Sequence, residues 1–224
     1  MDNKENFFVD IDRIKDFYQD YFNKANLTCG WSSFKSAVDS YSAVSDCSYQ
    51  NWTKINSVLD VGAGEGHLLR YLRLKKKFVG KYVGLELLEQ CCQTAIELYG
   101  KDPLSEFICD EFLNYDFGEQ QFDWVISLGS LSVKQNQQKE YEKASVKKML
   151  NLAKYGVSIY LNDQDKVDKE QVKGLRDLAL HHIPSFISLL KEECQPKEIT
   201  INHCPTQESY KTIINLLLLQ KWDA

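Results

Sequence analysis

The sequence predicts an α/β fold in which a mostly parallel sheet carries helices on both faces. From Val58 onward, apolar stretches of strand length alternate with stretches of helical periodicity, which is typical of parallel strands joined by crossover helices. Seven strands are expected: one that begins at residue 58, then 81–86, 106–109, 122–127, 157–161, 198–203 and 212–220. The last is nearly all apolar, as expected of a strand covered on both faces.

Apolar residues at helical spacing predict six helices, at residues 10–25, 34–44, 68–76, 88–99, 141–155 and 168–194. Gly100 and Gly156 are expected to end the fourth and fifth of these helices, and Pro184 to break or kink the sixth. The first two helices precede the first strand. We therefore expect a helical N-terminal extension or cap over residues 1–50 and a single α/β domain over residues 51–224.

Composition and charge exclude several classes of function. The 224 residues are enough to bury one full core, and the net charge of −5 comes with no basic cluster beyond Lys75–Lys77. An acidic chain without a basic face is a poor ligand for phosphate backbones, so a nucleic-acid partner is disfavoured. The longest apolar run, Leu216–Leu219, is too short to cross a bilayer, which disfavours a membrane association.

The cysteines and the N-terminus predict a cytoplasmic, soluble chain with reduced thiols. Seven cysteines without framework spacing argue against a disulfide scaffold. The neighbours Cys91 and Cys92 point in different directions on a helix, so they make a poor metal pair, and no metal site is expected. Residues 1–5 are polar and lack the apolar region of a signal peptide.

The stretch Val58–Gly66 is the most informative part of the chain. An apolar strand leads into Asp60 and then into Gly62, Gly64 and Gly66, followed by the start of a helix. Glycines allow a positive φ in a tight turn and let a ligand approach the backbone, and the helix start offers unpaired N–H groups. The pattern therefore predicts a site for a nucleotide-like cofactor.

The spacing of the glycines indicates which kind of cofactor. A dinucleotide fingerprint needs its third glycine one position later, where this chain has His67. Asp60 would repel a pyrophosphate, whereas it suits a cationic ammonium or sulfonium group. Glu86 ends the second strand 20 residues after Gly66, where a carboxylate can accept both hydroxyls of a ribose.

With these residues, Val58–Gly66 closely resembles motif I of the class I S-adenosylmethionine-dependent methyltransferases. The resemblance extends over roughly residues 28–220 and implies a Rossmann-like sheet, S-adenosyl-L-methionine as cofactor and S-adenosyl-L-homocysteine as product. It places the residues after the third strand at the adenine, and those after the fourth strand under the methionine. The expected cofactor-binding residues are Trp31, Asp60, Gly62, Ala63, Gly64, Gly66, Glu86, Leu87, Asp110, Glu111, Phe112, Ser127, Leu128 and Gly129.

Two further segments, Gly30–Ser33 and Ser130–Lys134, resemble a methyltransferase subgroup in which an aromatic N-terminal segment folds over the cofactor. Trp31 is then either a lid or an anchor for the N-terminal helices. The chain lacks the Asn-Pro-Pro-Tyr or Asp-Pro-Pro-Tyr of enzymes that methylate amino groups of DNA bases or glutamine. It also lacks the paired acids that would hold the metal of a catechol-type O-methyltransferase.

No residue of the sequence stands out as a catalytic base, and we name none. Candidates near the predicted site are the pair His181 and His182 before Pro184, and the strand-end residues Lys134, Asn162 and Asp163, each of which also suits a structural role. The function expected is methyl transfer to a small molecule held between the helices before Trp52 and the segment 163–195. The alternatives are a non-catalytic cofactor-binding partner or regulatory protein, a protein or tRNA acceptor, and, more distantly, a dinucleotide oxidoreductase.

Overall fold

The computed structural model describes residues 9–25, 31–168, 170, 177–204 and 210–218. Its seven strands form one sheet in the order β3-β2-β1-β4-β5-β7-β6. They are β1 (Ser57–Val61), β2 (Lys81–Glu86), β3 (Ser105–Cys109), β4 (Phe122–Ser127), β5 (Ala153–Asn162), β6 (Glu198–His203) and β7 (Lys211–Leu217). Strands β1 to β5 pair in parallel, and β7 runs antiparallel to both β5 and β6. The predicted seven-stranded, mostly parallel sheet is confirmed.

The described helices lie on both faces of this sheet. They are α1 (Ile11–Ala25), α2 (Phe34–Ser45), α3 (His67–Tyr71), which continues as a π-helical turn (Leu72–Lys76), α4 (Glu89–Tyr99), α5 (Gln138–Leu152) and α6 (Ile183–Glu193). Neighbouring residues of a strand point to opposite faces, so Val58 and Trp124 pack with α2 and α3, whereas Leu59 and Val125 pack with α5 and α6. The alternation explains why the central strands are apolar throughout.

The order of the strands places a crevice at the carboxyl end of β1. Strand β1 lies between β2 and β4, so the chain leaves β1 toward one side of the sheet and reaches β4 on the other. Ligands of open α/β sheets bind at such a reversal of strand order. The glycine loop that follows β1 is located there.

The boundary between α5 and β5 differs from the prediction. The predicted helix 141–155 ends at Leu152, and Gly156 lies inside β5 instead of closing the helix. A Cβ at Gly156 would lie 2.2 Å from Cη2 of Trp124 on the neighbouring strand. The glycine is therefore required by the packing of the buried indole ring, which no local sequence signal reveals.

The predicted helix 168–194 is also wrong in part. Residues 177–182 are not helical, and α6 begins at Ile183 with Pro184 in its first turn. Proline suits that position because the first N–H groups of a helix have no partner in the helix. The rest of this predicted helix, at 169 and 171–176, and the end of the predicted last strand, at 219–220, lie outside the described residues.

The expectation of reduced thiols is contradicted at one pair of cysteines. Cys92 on α4 and Cys109 at the end of β3 form a disulfide, with their Cα atoms 5.7 Å apart. The crossover from β2 to β3 returns α4 over β3 and brings the two residues together across a sequence separation of 17. Within the described residues, no helix is long and apolar enough to cross a membrane, and no cluster of side chains could hold a metal ion.

Candidate cofactor site

The loop after β1 has the backbone conformation that its glycines predict. Gly62, Gly64 and Gly66 have φ angles of +77°, +57° and +75°, a region that other residues adopt only with strain. A Cβ at Gly62 would lie 3.2 Å from the Cβ of Ser130, beyond the end of β4. At Gly66 it would lie 2.9 Å from the ring of Phe107. Gly62 thus keeps space open above the sheet, whereas Gly66 permits close packing under the loop.

Asp60 presents a buried carboxylate oxygen toward this loop. The residue is 1% exposed, its Oδ2 accepts a hydrogen bond from the hydroxyl of Tyr82, and its Oδ1 has no hydrogen-bond partner within the described residues. Burial raises the pKa of Asp60 to about 7; the bond from Tyr82 opposes this rise, and the charge of Glu86 adds to it. A buried acid with an unsatisfied oxygen is suited to a cationic ligand group.

Glu86 is held in place by the backbone around it. Its Oε2 accepts a hydrogen bond of 2.7 Å from the N–H of Gly64, and its Oε1 accepts one of 2.8 Å from the N–H of Leu88. Burial raises its pKa, and these backbone bonds oppose the rise. Each carboxylate oxygen has a second lone pair, so Glu86 can fix the glycine loop and still accept from a ribose diol.

Two cavities meet at the glycine loop. The first encloses about 680 Å³, counting space open to solvent, and is lined by Ile14, Tyr18, Val61, Gly62, Gly64, Leu85, Glu86, Leu87, Leu88, Cys91, Asp110, Glu111, Phe112, Leu128, Gly129, Ser130, Val133 and Tyr141. The second encloses about 360 Å³ and is lined by Trp31, Tyr41, Asp60, Gly62, Ala63, Gly64, Glu65, His67, Leu68 and Leu128. Gly62, Gly64 and Leu128 line both, so an elongated ligand can extend from one cavity into the other.

Most of the predicted cofactor residues line these cavities. The first contains Glu86, Leu87, Asp110, Glu111, Phe112 and Gly129; the second contains Trp31, Asp60 and Ala63; both contain Gly62, Gly64 and Leu128. Gly66 and Ser127 lie outside both linings. Ser127 is fully buried at the end of β4, where its Oγ lies 2.5 Å from Oγ of Ser130.

The N-terminal helix adds residues that the sequence did not assign to the site. Ile14 and Tyr18 of α1 line the first cavity, and the Tyr18 hydroxyl donates to the carbonyl of Gly129 at 3.4 Å. Arg13 donates to the carbonyl of Lys134 at 3.2 Å. The amphipathic pattern of residues 10–25 indicated the helix, but it carries no information on which surface the helix covers.

Trp31 combines the two roles that the sequence left open. Its side chain lines the second cavity, as a lid would. Its ring also packs edge-on against Tyr41, with 5.6 Å between ring centroids, and lies 5.1 Å from the Nζ of Lys211. The same indole ring thus borders the cavity and joins α2 to the start of β7.

His67 explains why the third glycine of a dinucleotide fingerprint is missing. Its Nδ1 lies 2.9 Å from the hydroxyl of Tyr99, and its Nε2 lies 3.0 Å from Oε2 of Glu65. The imidazole therefore fills the space beside the first turn of α3 and borders the second cavity. A pyrophosphate would meet the carboxylates of Glu65 and Asp60 there.

The two histidines before Pro184 line neither cavity. His181 is buried, with Nε2 donating to the carbonyl of Leu131 at 3.1 Å and Nδ1 lying 3.0 Å from Oε1 of Glu142. His182 is the N-cap of α6, and its Nδ1 accepts from the backbone N–H of Ser185. Both side chains hold the chain around α6 in place.

The strand-end candidates also have structural contacts outside the two cavities. Asn162 is buried and donates from Nδ2 to the carbonyl of Ala179 at 3.1 Å. Asp163 accepts from the N–H of Asp165 at 3.0 Å, and Lys134 offers its carbonyl to Arg13. Asn162 ends β5 and Asp163 follows it, as predicted, whereas Lys134 lies seven residues beyond the end of β4, and none of the three lines either cavity.

Comparisons with known proteins agree with this site. Residues 58–154 match the family described as "Methyltransferase domain". The fold is similar to that of magnesium protoporphyrin IX methyltransferase from Synechocystis PCC 6803 with bound S-adenosylhomocysteine, at 16% identity, a TM-score of 0.61 and coverage of 92% of this chain and 94% of that chain. It is also similar to the N-methyltransferase NodS from Bradyrhizobium japonicum in complex with S-adenosylhomocysteine, at 11% identity, a TM-score of 0.64 and coverage of 91% and 99%.

A further similar structure is a putative methyltransferase from Haloferax volcanii in complex with the methyltransferase activator Trm112, at 14% identity, a TM-score of 0.63 and coverage of 82% and 90%. No curated protein matches the sequence. The low identities establish a shared fold, whereas the family match covers β1 to β4, where the cofactor motifs lie. By its motifs, the match of residues 58–154 and its strand order, the chain is similar to the class I S-adenosylmethionine-dependent methyltransferases.

Proposed function

We propose that this enzyme methylates a small molecule, with its cofactor held across the glycine loop between the two cavities. One observation carries the proposal: the buried carboxylates of Asp60 and Glu86 border cavities that meet at Gly62 and Gly64. The two acids lie on the two sides of the loop. Their separation into different cavities suits a ligand with a cationic end and a diol.

The chain's own residues fit the parts of S-adenosylmethionine. Asp60 Oδ1, which has no partner within the described residues, would accept from the ammonium group. Glu86 would accept from the ribose hydroxyls, and Asp110 and Phe112 would border the adenine in the first cavity. The cofactor supplies a methyl group on a sulfonium, which is already a good leaving group. The protein then has to orient the acceptor and exclude water.

The N-terminal side chains that line the two cavities support a small methyl acceptor. Tyr18 of α1 lines the first cavity and Trp31 lines the second, and the Trp31 ring packs on Tyr41. We propose that residues 1–50 act as a cap on the domain formed by residues 51–224. A narrow covered site admits a small molecule or a single extended side chain more readily than a folded surface. The net charge of −5 also disfavours tRNA.

Calorimetry with S-adenosylhomocysteine tests the cofactor site. We expect micromolar or tighter binding, abolished by Gly64→Arg, which places a long side chain into both cavities, and weakened at least about tenfold by Glu86→Ala. Glu106→Ala is the matched control, because this exposed acid pairs with Lys81 outside the cavities. Binding of NADH in place of S-adenosylhomocysteine would show that the assignment is wrong.

A substrate panel tests the acceptor class. Release of S-adenosylhomocysteine is measured with small amines, phenols and acidic carbon compounds, and in parallel with whole protein and tRNA fractions. We expect turnover only with small molecules. Turnover confined to protein or tRNA would contradict the small-molecule proposal without affecting the cofactor site. The protein and tRNA arms test the two alternative acceptor classes directly.

A further inference from the structure

The Cys92–Cys109 disulfide joins the two elements that form one wall of the first cavity. Cys92 lies in α4, which begins directly after β2, and Cys109 is the last residue of β3. Cys91, the neighbour of Cys92, lines the cavity, and so does Asp110, the neighbour of Cys109. Each sulfur is therefore one residue away from a side chain of the proposed cofactor site.

The disulfide also lies at the level of Glu86 in the sheet. Cys109 is the register partner of Glu86 across β2 and β3, and the N–H of Asp110 donates to the carbonyl of Glu86 at 3.1 Å. β3 is an edge strand, paired with β2 alone within the described sheet. The covalent link to α4 thus restrains the end of an edge strand where it carries Asp110.

The two sulfurs differ in their access to solvent. Cys92 is fully buried under α4, whereas Cys109 is exposed on the edge strand. Thiol–disulfide exchange requires a thiolate to reach one of the two sulfurs, and the Cys109 sulfur is the accessible one. Of the free cysteines described, Cys47, Cys91 and Cys204 are buried and Cys194 is half-buried, so Cys109 is the exposed sulfur among the described cysteines.

We propose that reduction of the Cys92–Cys109 disulfide by an external dithiol lowers the affinity of the enzyme for its cofactor. A thiolate of the dithiol attacks the Cys109 sulfur, the S–S bond breaks, and Cys92 leaves as a thiolate that takes up a proton. The second thiol of the dithiol then attacks the mixed disulfide and releases Cys109, which is protonated in turn. The protein gains two electrons and two protons, and the dithiol becomes a cyclic disulfide.

The oxidised protein binds S-adenosylhomocysteine more tightly because the wall of the first cavity, formed by α4 and the end of β3, is already ordered. Without the link, the end of β3 and the first turns of α4 have to be ordered when the ligand binds, and this costs affinity. We expect S-adenosylhomocysteine to bind about tenfold more weakly to the reduced protein, within the usual range of coupling between two sites. The coupling is reciprocal, so saturating ligand lowers the reduction potential of the disulfide by about 30 mV for that tenfold ratio.

The inference rests on the cofactor residues of the proposed function, and its test separates the two. The intact protein is titrated with S-adenosylhomocysteine by calorimetry, oxidised and after dithiothreitol, with the redox state of Cys92 and Cys109 read by thiol labelling and mass spectrometry. The midpoint potential is then measured with and without the ligand. Equal affinity in both states and an unchanged potential overturn the redox inference, whereas absence of binding in both states overturns the proposed cofactor site as well.

Variants give an independent measurement. Cys109→Ser, at the exposed end, should bind S-adenosylhomocysteine about tenfold more weakly and no longer respond to dithiothreitol. Cys92→Ser removes the same disulfide but places a hydroxyl in the core. Cys109→Ser, at an exposed position, is therefore the variant less expected to disturb folding. Cys194→Ser, which changes a free half-buried thiol at the C-cap of α6, should bind like the unmodified protein and keep its redox response. A Cys109→Ser protein with full affinity contradicts the inference.

Discussion

The two halves of the candidate site are held by different kinds of contact. The strand-end half consists of the loop 60–66 with Glu86 and Asp110, all of which directly follow or end strands of one hydrogen-bonded sheet. The helical half consists of α1 and Trp31. Single hydrogen bonds between distant residues, such as that from Tyr18 to Gly129, attach α1, and ring packing on Tyr41 holds Trp31.

This difference in attachment predicts which half contributes more to cofactor affinity. The strand ladder, together with the Cys92–Cys109 disulfide at the end of β3, orders the strand-end half before a ligand arrives. The bonds of α1 are partly exposed, and each contributes only about 1 kcal/mol. We therefore expect substitutions in the strand-end half to have larger effects on cofactor affinity than substitutions in the helical half.

The largest effect is expected at Gly62. Gly62→Val adds a side chain at a φ of +77° and 3.2 Å from the Cβ of Ser130, so it strains the loop and fills both cavities. Affinity for S-adenosylhomocysteine should fall about a hundredfold or more, near 3 kcal/mol, by calorimetry. Gly118→Val is the control, because Gly118 has a φ of +60° with open space around it. If both variants bind normally, the loop does not hold the cofactor.

A change in cofactor affinity of about thirtyfold between pH 5.5 and 8.5 is expected through Asp60. Its pKa of about 7 means that the acid is half protonated near neutral pH, and only the ionised form attracts an ammonium group. Affinity for S-adenosylhomocysteine should rise about tenfold per pH unit up to pH 7 and level off above it. Calorimetry from pH 5.5 to 8.5 measures this, and Asp60→Asn should give a flat, weaker profile.

Folding stability should show the opposite trend with pH. The pKa of Asp60 is raised above its unfolded value of 3.8, so between pH 4 and 7 the folded protein holds a proton that the unfolded chain releases. This group's contribution to the free energy of unfolding therefore falls as pH rises, by at most about 4 kcal/mol. Asp60→Asn should gain in Tm relative to the unmodified protein, more at pH 8 than at pH 5. A difference in Tm between Asp60→Asn and the unmodified protein that does not change with pH would argue against the raised pKa of Asp60.

The smallest effect is expected in the helical half. Tyr18→Ala removes one cavity wall and one hydrogen bond to Gly129, which should weaken S-adenosylhomocysteine about fivefold, or about 1 kcal/mol. Lys15→Ala, on the exposed face of α1, should have no effect. Circular dichroism checks that both variants keep their helices. A loss at Tyr18 as large as that at Gly62 would show that the two halves hold the cofactor equally.

Local sequence patterns predicted the elements of the strand-end half almost residue by residue. β2 and β4 have the predicted bounds, because their apolar runs end at polar or turn residues. The predicted helix boundaries are wrong where a glycine makes room for a distant side chain or a proline begins a helix. Gly156 accommodates Trp124 from the neighbouring strand, and Pro184 starts α6 where a kink was expected. The partner of Gly156 lies on another strand, whereas the role of Pro184 is mispredicted because the start of α6 is not recognised in the sequence.

The sequence by itself determined the class of fold, the cofactor loop and the acids Asp60 and Glu86, since strand period, glycine spacing and strand-end charge are all properties of short segments. Only the tertiary structure decided that α1 borders the first cavity, that His181 and His182 lie outside the site, and that Cys92 meets Cys109. Those contacts depend on how the crossovers bring distant segments together. The packing of the whole sheet and its helices fixes them, and no single segment encodes them.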